Sequence, residues 1–315
     1  MLPIVTDTCS IEIVDGAAPP WPHQPTIEVQ VCGQCNYDCS YCIQAKKHRV
    51  GAPDDVTVDA ILAFLRTLPG RWEIKTSGGE PFSSKQFLDR IVPALVDAGH
   101  VVSTLTNLSA PRAQLERYAR MTGTQLGVVS ASLHLEHTQP APFLEKLSAM
   151  RAASRAIHTD ARFVVNAVLV PHRLDDVLAA RNDVVAAGFR FFPQLMKVKH
   201  GVHAYTRDQW RLVEAIVGDV DEAARIRSAN MAPAYTGRAC WSGARYFVLD
   251  QRGDAWSCRS AKRVGDGYLG NAVDGSLRIR AHGATCAYTI CPCTTPANRG
   301  MIEGVTATVA DESAE

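Results

Sequence analysis

The sequence carries ten cysteines, and their positions indicate metal chemistry more clearly than any other feature. Cys32, Cys35, Cys39 and Cys42 lie close together, and the last three have the spacing C-x3-C-x2-C. Three thiolates on one tight loop can bind three corners of a 4Fe–4S cluster and leave the fourth iron open to a substrate or cofactor. A zinc site is the alternative, with Cys32-x2-Cys35 and Cys39-x2-Cys42 as its two ligand pairs. Only three residues separate these pairs, whereas a long spacer separates the two pairs of a zinc ribbon. Reactive or structural thiols are a further interpretation.

A second group of cysteines lies near the carboxyl end of the chain, and none lies between Cys42 and Cys240. Its members are Cys240, Cys258, Cys286, Cys291 and Cys293. Residues 236–300 contain nine Lys or Arg against four Asp or Glu, and cations stabilise the negative charge of a cluster with four thiolate ligands. A structural zinc site or a solvated basic face would explain the same residues.

Composition places the chain among ordinary globular proteins, since 46% of its residues are hydrophobic and 21% are charged. The net charge of +1 argues against a nucleic-acid partner. No apolar run reaches the roughly 20 residues of a membrane span, so we expect no membrane partner. Residues 1–15 contain acidic residues and no basic ones, unlike a secretory signal, so we expect a cytoplasmic protein without structural disulfides.

The elements that must position the first cysteine group alternate between strand and helix. A strand with apolar residues at Ile27, Val29 and Val31 precedes the cysteines, and alternation continues to residue 217. The other predicted strands are 72–76, 101–105, 126–133, 163–170 and 189–195, and the predicted helices are 58–68, 84–98, 111–121, 142–156, 174–187 and 206–217. Six strands alternating with six helices predict a parallel sheet, in an open doubly wound fold or an incomplete (β/α) barrel. Either fold places its chemistry at the carboxyl ends of the strands.

The first cysteine group resembles the signature of the radical S-adenosylmethionine superfamily, with an aromatic residue, Tyr41, before the last cysteine. Ser77-Gly78-Gly79-Glu80-Pro81, at the end of the second strand, resembles the Gly-Gly-Glu segment of that family, although alone it would suggest a βα turn. The resemblance spans residues 27–220 and implies a partial (β/α)6 barrel. It also implies that Cys35, Cys39 and Cys42 bind a 4Fe–4S cluster whose open iron holds S-adenosyl-L-methionine. Gly78 and Gly79 would allow close approach of its methionine part, and Glu80 would bind its ammonium group.

Other contacts to this cofactor are predicted from strand ends. Ser132 matches the position where relatives hold the ribose, and Asn166 and Gln194 are predicted to face the interior of the barrel. A structural hydrogen bond is the alternative for each. Thr106-Asn107 is predicted to be a turn, with contact to the cofactor as the alternative. The scattered histidines are interpreted as solvated or hydrogen-bonded rather than catalytic; they are His134, His137, His172, His200 and His203.

The second cysteine group resembles the SPASM and twitch modules of some radical S-adenosylmethionine enzymes, through the pattern Cys240-x12-Gly253-x4-Cys258. This resemblance implies a small cysteine-rich β-hairpin module over residues 236–300 that holds one auxiliary 4Fe–4S cluster. Four ligands would come from the five cysteines, since the spacing of Cys286, Cys291 and Cys293 leaves their choice open. The spare thiol would be an inert buried cysteine or a catalytic hydrogen-atom donor. Residues 1–26 are predicted to be a lead-in segment and residues 301–315 a tail.

The two resemblances together imply an oxidoreductase or epimerase that generates a 5′-deoxyadenosyl radical. Its expected substrate is a small polar metabolite such as a sugar, an aminocyclitol or another natural-product intermediate, because the lead-in is shorter than a leader-peptide-binding domain. An enzyme that modifies a peptide or protein is the alternative, and a zinc-stapled, non-catalytic module is a third. The expected partner protein is a one-electron donor such as flavodoxin or ferredoxin.

Overall fold

The computed structural model describes residues 4–5, 25–44, 49, 51–157, 161–198, 201–218, 233–291 and 295–305. The chain divides into two compact units, each built from separate stretches of sequence. The first comprises Met1–Val29, Pro53–Glu73 and Ala232–Glu315, and the second comprises Gln30–Ala52 and Ile74–Met231. His200 and Cys293 lie outside the described residues.

Strands and helices alternate from residue 26 to residue 195, as the hydrophobic pattern predicts, and two short strands then precede a further helix. In chain order the elements are β1 (Ile4–Val5), β2 (Thr26–Cys32), α1 (Asp55–Arg66), β3 (Glu73–Gly78), α2 (Val92–Asp97), β4 (Val101–Thr106), α3 (Arg112–Thr122), β5 (Leu126–Ser132), α4 (Pro140–Arg155), β6 (Arg162–Leu169), α5 (Leu174–Ala186), β7 (Arg190–Leu195), β8 (Lys197–Val198), β9 (Gly201–Val202) and α6 (Arg207–Val217). Single 3-10 turns lie at Pro81–Ser83, Gly123–Gln125 and Pro171–Arg173.

The strands β2 to β7 lie side by side in chain order in one parallel sheet. Six parallel strands with intervening helices are the arrangement of a partial (β/α)6 barrel, so the predicted fold class is confirmed. The carboxyl ends of parallel strands meet at one edge of the sheet. The cysteine group after β2, the Gly-Gly-Glu segment after β3 and the turn after β4 therefore start from neighbouring points.

Apolar residues at helical spacing bury one side of α1. Val58, Ile61, Leu62 and Leu65 are all buried, and the Asp54 side chain begins the helix by accepting the backbone N–H of Thr57. The predicted helix over 84–98 is less regular, because Phe87–Ile91 forms a π-helical turn before α2. Pro93 explains part of this irregularity, since proline has no N–H to donate to the preceding turn.

The carboxyl-terminal strands extend the sheet in the first unit. They are β10 (Ala239–Cys240), β11 (Tyr246–Leu249), β12 (Asp254–Trp256), β13 (Tyr268–Asn271), β14 (Ile279–Arg280) and β15 (Ala284–Thr285), with helices α7 (Arg259–Val264) and α8 (Thr295–Asn298). β11 pairs in parallel with β2, with Tyr246 opposite Thr26, while β12 and β13 follow as antiparallel neighbours. Gly253 has φ +84° in the turn from β11 to β12, a conformation that favours glycine. The hairpin thus pairs with the first unit's portion of β2.

Two ion pairs connect the carboxyl-terminal residues to the first unit's portions of β2 and β3. Glu28 accepts hydrogen bonds from Arg259 and from the Thr295 hydroxyl, and Glu73 pairs with Arg299. Both carboxylates are buried. Burying a charge is costly without a partner, so these pairs hold the residues around α8 in place. Across the described residues, no helix is both long enough and apolar enough to cross a membrane.

Candidate active site

The cysteine loop, residues 33–44, follows β2 at the carboxyl edge of the parallel sheet. Cys39 is buried, Cys35 is half-buried and Cys42 is exposed. Burial raises the pKa of Cys35 and raises the pKa of Cys39 to about 11, and the neighbouring thiols add to both effects. Three thiols on one short loop could bind three corners of a 4Fe–4S cluster.

Cys32 differs from the three cysteines of the loop. It is fully buried at the end of β2, and its thiol donates to the backbone carbonyl of Glu80 at 3.3 Å. Burial, with Glu80 nearby, raises the pKa of Cys32 to about 12. Full burial at the strand end and the hydrogen bond to the Glu80 carbonyl fit a packing role for Cys32.

Glu80 lies just past β3, with only 1% of its surface exposed. Its carboxylate accepts hydrogen bonds from the Thr106 hydroxyl at 2.8 Å, from the backbone N–H of Asn107 at 2.6 Å and from the backbone N–H of Phe82 at 3.2 Å. Burial raises the pKa of Glu80 to about 7, although these three hydrogen bonds oppose the shift. All three donors are neutral, and a carboxylate offers about four acceptor positions. An added ammonium group would therefore supply both a donor and the missing positive charge.

Gly78 and Gly79 are required by the packing of the chain itself. A Cβ atom on Gly79 would lie 1.9 Å from the carbonyl oxygen of Gln34, and one on Gly78 would lie 2.6 Å from that of Cys32. Glycine lets the end of β3 approach the cysteine loop closely, where Gly79 N donates to Cys32 O and Glu80 N donates to Gln34 O. The two glycines thus allow Glu80 to lie beside the cysteine loop. This packing explains their presence and is not visible in the sequence.

Asn107, after β4, connects Glu80 with the cysteine loop. Its backbone N–H binds Glu80, and its side-chain amide donates to Asn36 at 3.1 Å and reaches the sulfur of Cys35 at 3.9 Å. The next residue, Leu108, has φ +54°, the one positive φ at a non-glycine residue in the part of the chain that the structure describes. Such a conformation costs roughly 1–2 kcal/mol, so the surrounding contacts must maintain this turn.

Lys146, on α4, maintains the turn at Leu108. Its ammonium group donates to the carbonyl oxygens of Leu108, Ser109 and Ala110 at 3.1, 3.3 and 3.0 Å. The role of Lys146 is not visible in the sequence, because a lysine on a helix carries no signal of its partner. Thr106 and Asn107, expected mainly to form a turn, prove to be the partners of Glu80.

Ser132, Asn166 and Gln194 form one polar network across three neighbouring strands. The Asn166 side-chain oxygen accepts from the Ser132 hydroxyl at 3.0 Å and from the Gln194 amide at 3.3 Å, while its nitrogen donates to the Ser130 hydroxyl at 2.9 Å. Asn166 is 6% exposed. The structure therefore brings these predicted residues together at the carboxyl half of the sheet and gives each the structural hydrogen bond considered as the alternative.

The described cysteines of the first unit lie in two places. β10 pairs with β15 so that Cys240 faces Ala284, and Cys286 N donates to Arg238 O, which puts Cys240 and Cys286 diagonally on one face. Cys258 begins α7, where its sulfur accepts the backbone N–H of Ala261 at 3.3 Å. The Ser260 hydroxyl, in the first turn of α7, donates a hydrogen bond to the carbonyl oxygen of Ile290. Cys291 is the next residue in the chain after Ile290.

Comparison with known proteins identifies the family of this chain. Residues 29–184 match a family model described as the radical SAM superfamily. The chain belongs to this superfamily and is a radical S-adenosylmethionine enzyme. Membership implies S-adenosylmethionine and a 4Fe–4S cluster as cofactors. No curated protein sequence matches significantly.

Two of the solved structures that match this chain illustrate the shared fold. The crystal structure of Streptococcus suis SuiB bound to precursor peptide SuiA has a TM-score of 0.56 at 12% identity, over 81% of this chain and 63% of SuiB. The chain therefore spans less than two thirds of SuiB. Native anSMEcpe with bound AdoMet and Cp18Cys peptide has a TM-score of 0.53 at 12% identity, over 80% of this chain and 78% of that one. At these identities the likeness shows the fold.

Proposed function

We propose that Cys35, Cys39 and Cys42 bind the 4Fe–4S cluster and that Glu80 binds the ammonium group of S-adenosylmethionine. The observation that carries this proposal is the contact of Asn107 with both Glu80 and Cys35. Through these contacts Asn107 links Glu80, the predicted acceptor for the ammonium group, with Cys35, a predicted ligand of the cluster. Gly78 and Gly79 support the site by bringing β3 against the cysteine loop. Ser132 and Asn166 supply neutral polar groups for the ribose.

The reaction that we propose is hydrogen-atom abstraction from a small polar metabolite. When bound, the cluster and S-adenosylmethionine supply, after one-electron reduction, a 5′-deoxyadenosyl radical that takes a hydrogen atom and becomes 5′-deoxyadenosine. Oxidation would then release a proton from the substrate radical and pass one electron to the auxiliary 4Fe–4S cluster proposed below, whereas epimerisation would transfer a hydrogen atom from a cysteine thiol to the opposite face of the radical. Ser130 and Gln194 belong to a neutral hydrogen-bonding network that suits a hydroxylated molecule. The electron donor would be a flavodoxin- or ferredoxin-like protein.

Residues 236–300 would hold an auxiliary 4Fe–4S cluster, with residues 27–220 forming the S-adenosylmethionine-binding part. Cys240 and Cys286 share one face of the β10–β15 pair, while Cys258 and Cys291 approach the start of α7. These four cysteines are the ligand set that we favour. Cys293 would then be the spare thiol and the first choice for a hydrogen donor, with Cys286 and Cys291 as alternatives.

A peptide substrate is the second candidate. The two solved structures reported above each contain a bound peptide, and their fold likeness covers about four fifths of this chain. Because that likeness shows the fold alone, it leaves the substrate open.

The deciding experiment is anaerobic incubation of the reconstituted enzyme with deuterated candidate substrates. Deuterium in the recovered 5′-deoxyadenosine from an aminocyclitol or sugar would support the metabolite proposal. Transfer only from a peptide would contradict it, and absence of any cleavage of S-adenosylmethionine would contradict the assigned site as well. The product, ketone or inverted alcohol, separates oxidation from epimerisation.

A further inference from the structure

The loop between β5 and α4, residues 133–139, contacts the cysteine loop at residues that lie between the cysteines. Glu136 makes the most direct contact. Its carboxylate accepts the backbone N–H of Ser40 at 2.8 Å and the Ser40 hydroxyl at 2.5 Å. Ser40 directly follows Cys39, so Glu136 fixes the backbone of one expected cluster ligand.

Two histidines of the same loop contact the tyrosines of the cysteine loop. The ring of His137 stacks on Tyr37, with centroids 4.5 Å apart and planes inclined by 12°. The Nδ1 atom of His134 and the Tyr41 hydroxyl form a hydrogen bond of 2.8 Å. The contacts with Tyr37, Ser40 and Tyr41 thus cover both intervals of the C-x3-C-x2-C segment.

The sulfur of Cys39, a carboxylate oxygen of Glu136 and a ring nitrogen of His137 all lie within 4.8 Å of one another. Such a trio could bind a single metal ion. However, both oxygens of Glu136 already accept hydrogen bonds from Ser40, and the His137 ring already stacks on Tyr37. Each group has its own partner in the cysteine loop, so the trio is better explained by contact between the two loops.

We propose that Glu136 is a positioning residue that holds the cysteine loop and, by its charge beside Cys39, lowers the reduction potential of the cluster. This inference rests on the proposed cluster ligands. Reduction adds negative charge to a cluster, and a nearby carboxylate opposes that addition. The backbone N–H of Ser40 donates to Glu136 and therefore does not donate to a sulfur atom of the cluster. A hydrogen bond from that N–H to cluster sulfur would raise the reduction potential. Both effects act in the same direction.

The test compares the reconstituted wild-type protein with Glu136→Gln by anaerobic redox titration followed by electron paramagnetic resonance. The signal to follow is the one that changes when S-adenosylmethionine is added, since this response distinguishes the cofactor cluster from an auxiliary cluster. Glu136→Gln keeps the shape of the side chain and removes its charge. We expect its potential to shift to a more positive value at unchanged iron content. Glu145→Gln removes an exposed carboxylate on α4 and should leave the potential at the wild-type value.

An unchanged or more negative potential in Glu136→Gln would overturn the proposal, as would an equal shift in Glu145→Gln. If Glu136→Gln loses iron, Glu136→Asp, which keeps the charge, must recover iron and the wild-type potential; failure to do so overturns the proposal. One zinc ion per cluster-free chain, lost in both Glu136→Gln and His137→Ala, would show a metal site and also overturn it. A wild-type protein without an S-adenosylmethionine-responsive cluster would instead contradict the proposed function, and this inference with it.

Discussion

The carboxylate of Glu80 accepts the backbone N–H of Asn107 at 2.6 Å, which joins the segment after β3 to the turn after β4. A second bond from Thr106 fixes the other carboxylate oxygen. With only 1% of its surface exposed, Glu80 cannot turn without breaking these bonds. The group that we expect to bind an ammonium ion is therefore oriented before any ligand arrives, which reduces the ordering cost of binding.

Replacing Glu80 by glutamine should weaken S-adenosylmethionine binding while the cluster remains. A charged hydrogen bond to a buried ammonium contributes roughly 1.5–3 kcal/mol, which corresponds to about a 10- to 100-fold loss of affinity. Equilibrium binding to the reconstituted variant, with iron counted per chain, measures both quantities. An unchanged dissociation constant would return the Gly-Gly-Glu segment to a purely structural turn.

Binding of S-adenosylmethionine should also depend on pH through Glu80. Burial raises its pKa to about 7, so the carboxyl group is largely neutral below that pH and ionised above it. Only the ionised form attracts an ammonium group, so affinity should rise between about pH 6 and about pH 8. Calorimetric titrations across this range test the expectation. In Glu80→Gln the same rise should be missing, and its persistence there would assign it to another group.

The three cysteines of the loop should be required together, while Cys32 should not. Replacing Cys35, Cys39 and Cys42 by alanine should abolish cleavage of S-adenosylmethionine, because the cluster loses its thiolates. Cys32→Ala removes a neutral thiol that donates to Glu80 O and should retain the cluster. Iron and sulfide content and 5′-deoxyadenosine formation are the measurements. Cleavage by the triple variant would refute the site, and loss in Cys32→Ala alone would refute the choice of ligands.

Gly79→Ala should disturb the cysteine loop by direct contact. The new Cβ would lie 1.9 Å from Gln34 O, so β3 and the loop must separate. Overpacking of this kind costs about 1–3 kcal/mol, and we expect a lower thermal midpoint together with a lower iron content. Ser77→Ala, in the same strand without added atoms, is the control. Wild-type iron content in Gly79→Ala would show that the close approach is dispensable.

The cysteines of residues 236–300 can be sorted by replacing Cys286, Cys291 and Cys293 individually with alanine. We expect the Cys286 and Cys291 variants to lose auxiliary iron and the Cys293 variant to retain it. If Cys293→Ala keeps both clusters and cleaves S-adenosylmethionine but forms no normal product, the spare thiol is the hydrogen donor and the enzyme is an epimerase. Normal turnover by that variant would favour oxidation. Loss of auxiliary iron in all three variants would contradict a spare thiol.

Local patterns determined the class of fold and the candidate chemistry. Apolar residues at alternating or helical spacing bury one face of each element, so β2, α1 and the later strands follow from residues such as Ile27 and Leu65. The C-x3-C-x2-C spacing and the Gly-Gly-Glu segment that contains Glu80 are likewise visible in the sequence. Each is a short motif whose residues are close together in the chain.

Only the tertiary structure decided which distant residues complete the site. Asn107 meets Glu80, and Lys146 supports the turn at Leu108, because parallel strands bring separate loops to one edge. Glu136 contacts Ser40 across a separation of 96 residues, and β11 pairs with β2 at the opposite end of the chain. The sequence carries no periodic signal for such pairs, since each contact depends on strand order and register rather than on local spacing.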